Sequence, residues 1–296
     1  MIKFAMIFPG HGFQNFKIIK KLHKKYTIIQ KTFSKASEYL NCNLWKKFLK
    51  NTYQKNKYQY FSQIEILIIS ISLYKLWKKK IGIYPYIMTG HSLGQYSALV
   101  CSNVLTFSDA LKIVYYRQKL MKKKIGIMYA VIGLKEKIIT EICQNFGNKN
   151  FFIACINSHD QIIITGKKKY SKKIIFQCKK NGAKHVIKLP IKNISHCPLM
   201  KEIKEKMFSK FSKINFHQPK NFIMDSTLVK ILYKPQDIKH ALFNQICKPV
   251  YWEHTINFLI SKKIKYFLEM NTGNFLTKLS NNKKKYHALY IKKIFY

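Results

Sequence analysis

Residues 86–101 read YIMTGHSLGQYSALVC. This stretch passes from a short apolar run, through a Gly-x-Ser-x-Gly pattern centred on Ser92, into a segment with helical character. A strand, a sharp turn and a helix in that order are the context in which such a pattern forms a nucleophile elbow. The stretch therefore predicts an α/β fold in which Ser92 projects its hydroxyl from the turn.

A second pattern, later in the chain, predicts a separate small unit. Residues 125–190 contain, in order, a strand, a helix, two strands, a helix and a strand, which is the order of a ferredoxin-like βαββαβ unit. We expect this small subdomain, 125–190, to be inserted into an α/β-hydrolase-like large subdomain made of residues 1–124 and 191–296. A cleft between two such subdomains is a natural place for an active site.

Apolar periodicity places further elements in the large subdomain. We expect strands at residues 4–8, 86–89 and 264–270, the last being the final core strand, and helices at residues 15–25, 31–40, 62–80 and 93–101. The helix over residues 62–80 is apolar on nearly every side, so it should be buried in the core.

Composition limits the classes of function that the chain can have. The 296 residues include 55 basic and 12 acidic side chains, for a formal net charge of +43. The lysines are spread along the chain and no nucleic-acid-binding motif accompanies them. We therefore expect no nucleic-acid partner, but a solvated basic surface that attracts acidic partners and phosphorylated ligands.

Cysteine usage and hydropathy indicate a compartment. The seven cysteines form no C-x-x-C pair, which argues against a disulfide framework or a zinc site and favours a reducing cytoplasm. The longest apolar run, residues 66–74, is far shorter than the ~20 residues that cross a bilayer. We expect a cytoplasmic protein with no metal and no membrane partner.

Arg117 is the only arginine among the 55 basic side chains. A guanidinium offers a planar fork of donors that matches a carboxylate at two points, which lysine cannot do. One interpretation is chance, because a codon bias toward lysine can leave a single arginine behind. The other is that Arg117 binds the carboxylate of an acyl group carried by Ser92.

A serine nucleophile also needs a base and an oxyanion hole. His196 is the best candidate base of the ten histidines because it lies in a short polar loop, residues 193–198, where a side chain can face a cleft. The N–H of Leu93, next to the serine, and the N–H of His11, in the glycine turn after the first strand, could hold the oxyanion. The acidic residues between Ser92 and His196 offer no convincing third member. A neutral acceptor such as a backbone carbonyl is therefore expected to orient the histidine.

Five motifs, in order along the chain, resemble those of the malonyl-CoA:acyl carrier protein transacylase family. Residues 8–14 (FPGHGFQ) resemble the family's FPGQGSQ, and residues 90–100 (GHSLGQYSALV) resemble its GHSLGEYSALV. Three further stretches are similar to its arginine helix, its SHxxLM loop and its Q-x-x-x-P-V-x-W segment: residues 116–121 (YRQKLM), 195–200 (SHCPLM) and 244–252 (NQICKPVYW).

The resemblance implies a ping-pong transfer. Ser92 would be acylated by malonyl-CoA with His196 as base, and the phosphopantetheine thiol of an acidic acyl carrier protein would then take the malonyl group. Arg117 would bind the free malonyl carboxylate, and the backbone carbonyl near Gln245 would orient His196. We also assign Gln245, His91 and Asn157 to the substrate-binding site. No cofactor is implied, because the CoA thioester is a substrate, and we expect a monomer.

The sequence departs from the family pattern at several places. His11 replaces a glutamine, Phe13 replaces a serine, and Gln95 replaces the glutamate after the elbow. Ile194 stands where a proline is common, and residues 271–273 read NTG, with Thr272 in the middle, in place of the usual GPG. We expect these departures to affect rate or stability more than identity.

Two other classes of function stay open. A serine esterase or phospholipase-like hydrolase with a related elbow would cleave its substrate without any role for Arg117. A basic nucleic-acid-binding protein, or a degenerate enzyme that only binds the acyl carrier protein, would form no covalent acyl-enzyme.

Overall fold

The computed structural model describes residues 3–11, 15–53, 62–146, 150–191, 193–280 and 286–295. The chain before the small sheet forms β1 (Phe4–Phe8), α1 (Phe16–Lys25), α2 (Thr27–Tyr39), α3 (Leu44–Tyr53), α4 (Gln63–Lys80), β2 (Ile87–Gly90), α5 (Gly94–Cys101) and α6 (Phe107–Met121). The middle forms β3 (Ile127–Ile132), α7 (Glu136–Asn145), β4 (Phe151–Ser158), β5 (Gln161–Gly166), α8 (Ser171–Lys180) and β6 (His185–Lys188). The remainder forms α9 (Lys201–Phe211), β7 (Phe222–Asp225), β8 (Lys230–Leu232), α10 (Pro235–Asn244), β9 (Val250–Tyr251), α11 (Trp252–Ser261), β10 (Tyr266–Glu269), α12 (Phe275–Ser280), β11 (His287–Tyr290) and α13 (Lys292–Phe295).

The larger sheet gathers the strands that carry the elbow. Its six strands run in the order β11-β10-β1-β2-β7-β8, parallel except for the edge strand β8. Strand β1 lies between β2 and β10, with Phe8 opposite Gly90 and Ile7 opposite Glu269. The carboxyl ends of these three strands therefore meet at one edge of the sheet, where ligands bind in open α/β sheets.

The smaller sheet has the topology that the sequence predicts, with one addition. Its strands run in the order β6-β3-β5-β4-β9, and the first four are antiparallel neighbours. Strand β9, which follows the small subdomain in the sequence, pairs in parallel with β4 and extends the sheet by one strand. The prediction of a mixed α/β fold with two sheets is confirmed, while the division at residues 124/125 and 190/191 stays a prediction.

Helix α4 is the central buried helix of the large sheet's helical layer. Ser62 caps it through a reciprocal capping box, because its hydroxyl accepts from the N–H of Glu65 and the Glu65 carboxylate accepts from the N–H of Ser62,. Every side chain from Gln63 to Tyr74 is buried, as the apolar pattern predicts. In the part of the chain that the structure describes, no helix combines the length and apolarity that crossing a bilayer requires.

Several elements differ from the sequence-based expectations. Helix α2 begins at Thr27 rather than at residue 31, and α3 lies in a lysine-rich stretch for which we predicted no element. Strand β10 spans only Tyr266–Glu269 and not residues 264–270, although the residues at both ends of the predicted strand, 264 and 270, are buried. The edge strand β11 was not predicted either. None of its four residues is fully buried.

Gly94 allows the elbow helix to approach β1. A Cβ at Gly94 would overlap the backbone carbonyl of Phe8, and backbone cannot move aside as a flexible side chain can. By contrast Gly82, which has a φ of +75°, faces open space with no described atom within 4 Å of an added Cβ.

We predict that Gly94→Ala lowers the free energy of unfolding by at least about 3 kcal/mol, the upper end for overpacking a core. Gly82→Ala should cost only ~1 kcal/mol, since it adds left-handed strain without a clash. Urea unfolding midpoints at constant m-value measure both. Equal losses in the two variants would contradict this account of the elbow.

Candidate active site

Ser92 lies on a sharp turn between β2 and α5. Its φ of +53° is in the left-handed region, which a residue with a Cβ adopts only when its surroundings impose it,. Hydrogen bonds close the turn on either side: the N–H of Gly94 donates to the carbonyl of His91 (3.0 Å), and the N–H of Gln95 donates to the carbonyl of Ser92 itself (3.1 Å). The serine hydroxyl lines the cavity between the two sheets, as the elbow pattern predicts.

His196 meets Ser92 across 104 residues of sequence. Its Nε2 lies 2.6 Å from the Ser92 Oγ, and its Nδ1 lies 2.9 Å from the backbone carbonyl of Gln245. Since a carbonyl only accepts, Nδ1 carries the proton and Nε2 is left free to accept from the serine hydroxyl. The structure thus brings the candidate nucleophile and candidate base into hydrogen-bonding contact, with a neutral acceptor behind the base.

The environment keeps His196 neutral. The side chain is 2% exposed. Burial first, and the positive charge of Arg117 second, lower the pKa of His196 to about 3. A histidine with so low a pKa is unprotonated at neutral pH, which is the state that a general base requires.

Three of the four acidic residues between Ser92 and His196 have partners away from the histidine. Asp109 lies in the first turn of α6, where its carboxylate accepts from the hydroxyl of the N-cap Thr106, and Glu136 pairs with His254 at 3.0 Å. Asp160 accepts from the hydroxyl of Ser158 in the hairpin between β4 and β5. The expectation of a carbonyl in place of an acid agrees with this arrangement.

Arg117 projects from α6 into the same cavity. It is 2% exposed, its Nη1 donates to the side-chain carbonyl of Gln63, and its guanidinium carbon lies 5.8 Å from the ring centroid of Tyr96. Among the described residues its Nε has no hydrogen-bond partner, and no carboxylate pairs with the guanidinium. A buried cation without an anion is costly unless a ligand supplies one.

Gln63 is a site residue that the sequence did not reveal. It occupies the first turn of α4 and lines the cavity, and its side-chain oxygen accepts from Nη1 of Arg117. Its own backbone N–H donates to the side chain of Gln118, the residue after the arginine. No motif surrounds it, so only the packing of α4 against α6 could have identified it.

His91 and Asn157 connect the elbow to the small sheet. The Nε2 of His91 lies 2.9 Å from the Oδ1 of Asn157 on β4, and the Asn157 amide donates onward to Gln161 at 3.2 Å. Burial lowers the pKa of His91. All three side chains line the cavity, so the predicted substrate residues His91 and Asn157 lie beside Ser92.

The remaining predicted site residues have different positions. His11 follows β1 and lines the cavity, with an exposed side chain, and Leu93 begins the turn into α5. Both therefore lie at the edge where β1 and β2 end. Gln245 is fully buried and offers its main-chain carbonyl to His196, while its side-chain amide is not on the cavity wall and has no described partner. The structure therefore places Gln245 behind the histidine and not on the cavity wall.

The cavity can hold an extended substrate. Its volume is about 830 Å³, within the ~300–1,000 Å³ that is usual for small-molecule sites. Ser92, His196 and Arg117 lie on one side, and apolar side chains of the small sheet, such as Met128 and Ile163, form the facing wall. In the described ranges no group of three or more His, Cys, Asp or Glu side chains could hold a metal ion.

Most of the departures from the family pattern have local partners. Gln95 accepts from the N–H of Gly90 (2.9 Å) and donates to the carbonyl of Met224 (3.3 Å). Thr272 accepts from the N–H of Asn15 at 3.0 Å, and Ile194 is buried in the core. Phe13 lies outside the described residues.

Comparison with known proteins agrees with this geometry. Residues 7–271 match the acyl transferase domain family. The malonyl CoA-acyl carrier protein transacylase of Buchnera aphidicola subsp. Schizaphis graminum is 42% identical over 285 residues, which cover 94% of this chain and 92% of that relative. The protein of the same name from Escherichia coli K12 is 32% identical over 285 residues, covering 95% and 92%.

Solved structures show the same fold over nearly the whole chain. The malonyl CoA-acyl carrier protein transacylase of Coxiella burnetii has a TM-score of 0.91 at 30% identity, covering 98% of this chain and 94% of its own. A malonyl-transacylase solved in complex with its type II polyketide synthase acyl-carrier protein has a TM-score of 0.89 at 32% identity, covering 97% and 95%. This chain is therefore an acyltransferase and belongs to the acyl transferase domain family.

Proposed function

We propose that this chain transfers a malonyl group from malonyl-CoA to the phosphopantetheine thiol of an acyl carrier protein, through an ester on Ser92. The observation that carries the proposal is the shared cavity, in which a Ser92–His196 pair faces a buried Arg117 with no carboxylate partner. The names of the relatives and of the solved structures support the same substrate and the same acceptor.

In the first half-reaction the Ser92 hydroxyl gives its proton to Nε2 of His196 while Oγ attacks the thioester carbonyl. Gln245 stabilises the resulting imidazolium through its carbonyl, which accepts from Nδ1. We assign the N–H groups of His11 and Leu93 to the carbonyl oxygen as it becomes an oxyanion. The tetrahedral intermediate then collapses, the C–S bond breaks, and the imidazolium returns its proton to the departing CoA sulfur.

The second half-reaction reverses the roles. The phosphopantetheine thiol loses its proton to Nε2 of His196, and its sulfur attacks the carbonyl of the malonyl ester. When the C–O bond breaks, Ser92 takes the proton back from His196. The same base therefore serves both steps, with no net change in protons and no cofactor.

Arg117 supplies the selectivity for a diacid. The malonyl group carries a free carboxylate at the end remote from the thioester, and the guanidinium can bind it through two parallel hydrogen bonds. An esterase without a carboxylate substrate would gain nothing from burying this charge. The arginine thus favours the transferase over a general serine hydrolase.

The acyl carrier protein is the proposed second substrate and partner. The formal net charge of +43 attracts an acidic protein and the phosphates of CoA,. The seven cysteines are all free thiols, which fits a reducing compartment. A cytoplasmic monomer that needs only its two substrates is part of the same proposal.

Brief exposure to malonyl-CoA should add the mass of one malonyl group to the protein, and Ser92→Ala should abolish the adduct. Intact-mass spectrometry measures it. Ser97→Ala is the matched control, since this buried hydroxyl lies one turn along α5 and has no described partner. An adduct that survives in Ser92→Ala would place the nucleophile elsewhere, and rapid loss of the adduct to water would favour the hydrolase.

Arg117→Ala should reduce kcat/KM for malonyl-CoA by about 10²-fold, because charge-assisted hydrogen bonds worth ~1.5–3 kcal/mol each are lost. Acetyl-CoA, which has no carboxylate, should be unaffected or improved. The ratio of the two rates is the measurement, and it does not depend on the fraction of protein that is folded. Lys119→Ala, an exposed cation on the same helix, should leave the ratio unchanged. An equal loss of kcat/KM with malonyl-CoA and with acetyl-CoA would show that Arg117 does not bind the malonyl carboxylate.

The kcat/KM for acylation by malonyl-CoA should stay constant as pH falls from 8 to about 5. With a pKa of about 3, His196 is still unprotonated there, whereas a histidine of ordinary pKa ~6.5 would be almost fully protonated at pH 5. Stopped-flow measurement of kcat/KM against pH reports the pKa of the free enzyme. Half-maximal activity near pH 6.5 would mean that the base is solvated rather than buried.

A further inference from the structure

The base loop, residues 193–198, is bound at its start to the end of α6. The side-chain amide of Asn193 donates to the carbonyl of Met121, in the last turn of that helix. One residue further along the loop, the N–H of Ile194 donates to the carbonyl of Lys124 at 3.2 Å. Two consecutive residues of the loop therefore attach to the last turn of α6 and to the chain just after it.

Packing and charge support the same attachment. Ile194 is 4% exposed and lies so close to Gly126 that a Cβ on the glycine would stand 2.2 Å from Cγ2 of the isoleucine. Beyond the loop, the carboxylate of Glu202 in the first turn of α9 lies 2.7 Å from Nζ of Lys124. The residues that follow α6 therefore contact the chain on both sides of His196.

The same helix carries Arg117. The arginine lies four residues, about one helical turn, before Met121, the residue whose carbonyl accepts from Asn193,. That carbonyl also accepts from the N–H of Lys124 at 3.1 Å. Helix α6 thus presents the guanidinium to the cavity from one turn and binds the base loop from the next.

The loop between Asn193 and the base is short. Two residues, both described, separate Asn193 from His196. The N–H of His196 donates to the carbonyl of Ile246 at 3.0 Å, and its backbone has a φ of +58°, a conformation that needs support from its surroundings. The imidazole then lies 2.6 Å from the hydroxyl of Ser92. A displacement at the start of so short a loop would therefore reach the imidazole.

We propose that Asn193 is a positioning residue that fixes the base loop on α6 and thereby holds Nε2 of His196 in contact with Ser92. The inference rests on the proposed function, since it concerns the base of that same reaction. Proton transfer needs the base within hydrogen-bonding distance of the hydroxyl, and a misplacement of about 1 Å can cost 10²-fold in rate. The backbone hydrogen bonds of Ile194 and His196 remain when the Asn193 amide is removed, so the expected loss is smaller.

Residue 194 shows why this chain benefits from such a bond. A proline there, as is common in the resembling family, would fix its own φ and stiffen the loop, but it would have no N–H to donate. Isoleucine does not fix φ in this way. The N–H of Ile194 and the amide of Asn193 instead supply two hydrogen bonds that hold the loop from outside.

The test removes the amide donor and keeps a side chain of similar size. Asn193→Leu should lower the maximal rate of Ser92 acylation by malonyl-CoA about tenfold, less than the 10²-fold cost of a full misplacement. The KM for malonyl-CoA should stay as in the parent, because Arg117 is untouched. The rate with acetyl-CoA should fall by the same factor, since both thioesters need His196. Stopped-flow acylation kinetics measure these three quantities.

Asn221→Leu is the matched control. Like Asn193, Asn221 is half-buried, and its side-chain amide donates to a backbone carbonyl, that of Pro85, at 2.7 Å. It lies where β2 and β7 begin, at the end of the large sheet opposite the elbow, and it is not on the cavity wall. Urea unfolding should show a loss of stability in both variants, but the acylation rate should fall only in Asn193→Leu.

Circular dichroism checks that each variant is folded before rates are compared. Asn193→Ala, which adds no bulk, carries the same expectation if the leucine prevents folding. Parent-like acylation in the Asn193 variant would overturn the inference, and so would an equal fall in rate in Asn221→Leu, because the effect would then follow from stability.

A loss that appears in KM, or in the ratio of the malonyl and acetyl rates, would also overturn the inference. It would mean that Asn193, whose side chain lines the cavity, contacts the substrate. A parent protein that forms no malonyl adduct would overturn the proposed function instead, and that result appears before any variant is made.

Discussion

The 2.6 Å contact between the Ser92 hydroxyl and Nε2 of His196 is the interaction on which the rest of the site depends. Both residues have left-handed backbones, with φ of +53° and +58°, and such conformations persist only where the surrounding structure over-determines them. For Ser92 that structure is the close approach of Gly94 to β1. For His196 it is the hydrogen bond from its own N–H to the carbonyl of Ile246 at 3.0 Å, next to the carbonyl that orients its ring. The core thus stabilises two strained turns that face each other.

The same logic explains how the chain carries its unusual residues without losing the site. Gln95 donates with one end of its amide and accepts with the other, whereas an ionised glutamate could only accept. Its donor end therefore gives the carbonyl of Met224, which also accepts from the hydroxyl of Thr89, a second partner that a carboxylate would not supply. Thr272 likewise forms a bond that a proline lacks. These substitutions replace one set of local contacts by another, so they change how the loops around Ser92 are held rather than which groups face the cavity.

The sequence predicts the parts of this structure that depend on local patterns. The elbow, the order of elements in residues 125–190 and the buried helix α4 follow from periodicity and turn chemistry, and motifs identify Ser92, His196 and Arg117. What it does not predict depends on tertiary contacts. The two residues of β9 become a strand only because β4 offers an unpaired edge, and α3 has a lysine-rich sequence with a narrow apolar face. The partner of Arg117, Gln63, lies 54 residues away and belongs to no motif. The acceptor at Gln245 was anticipated only through the family resemblance, because a main-chain carbonyl has no signature of its own.

Electrostatics join the two halves of the site. In a chain of net charge +43, the guanidinium of Arg117 is buried beside a histidine whose pKa it depresses, second only to burial. A depressed pKa keeps the base unprotonated but also makes it a weaker proton acceptor. A malonyl carboxylate bound to Arg117 would offset that positive charge, and the pKa of His196 would then rise toward its ordinary value. An acetyl thioester brings no such charge and leaves the base weak. In the proposed mechanism Arg117 would therefore favour the diacid twice, once by binding its carboxylate and once by strengthening the base that takes the proton from Ser92.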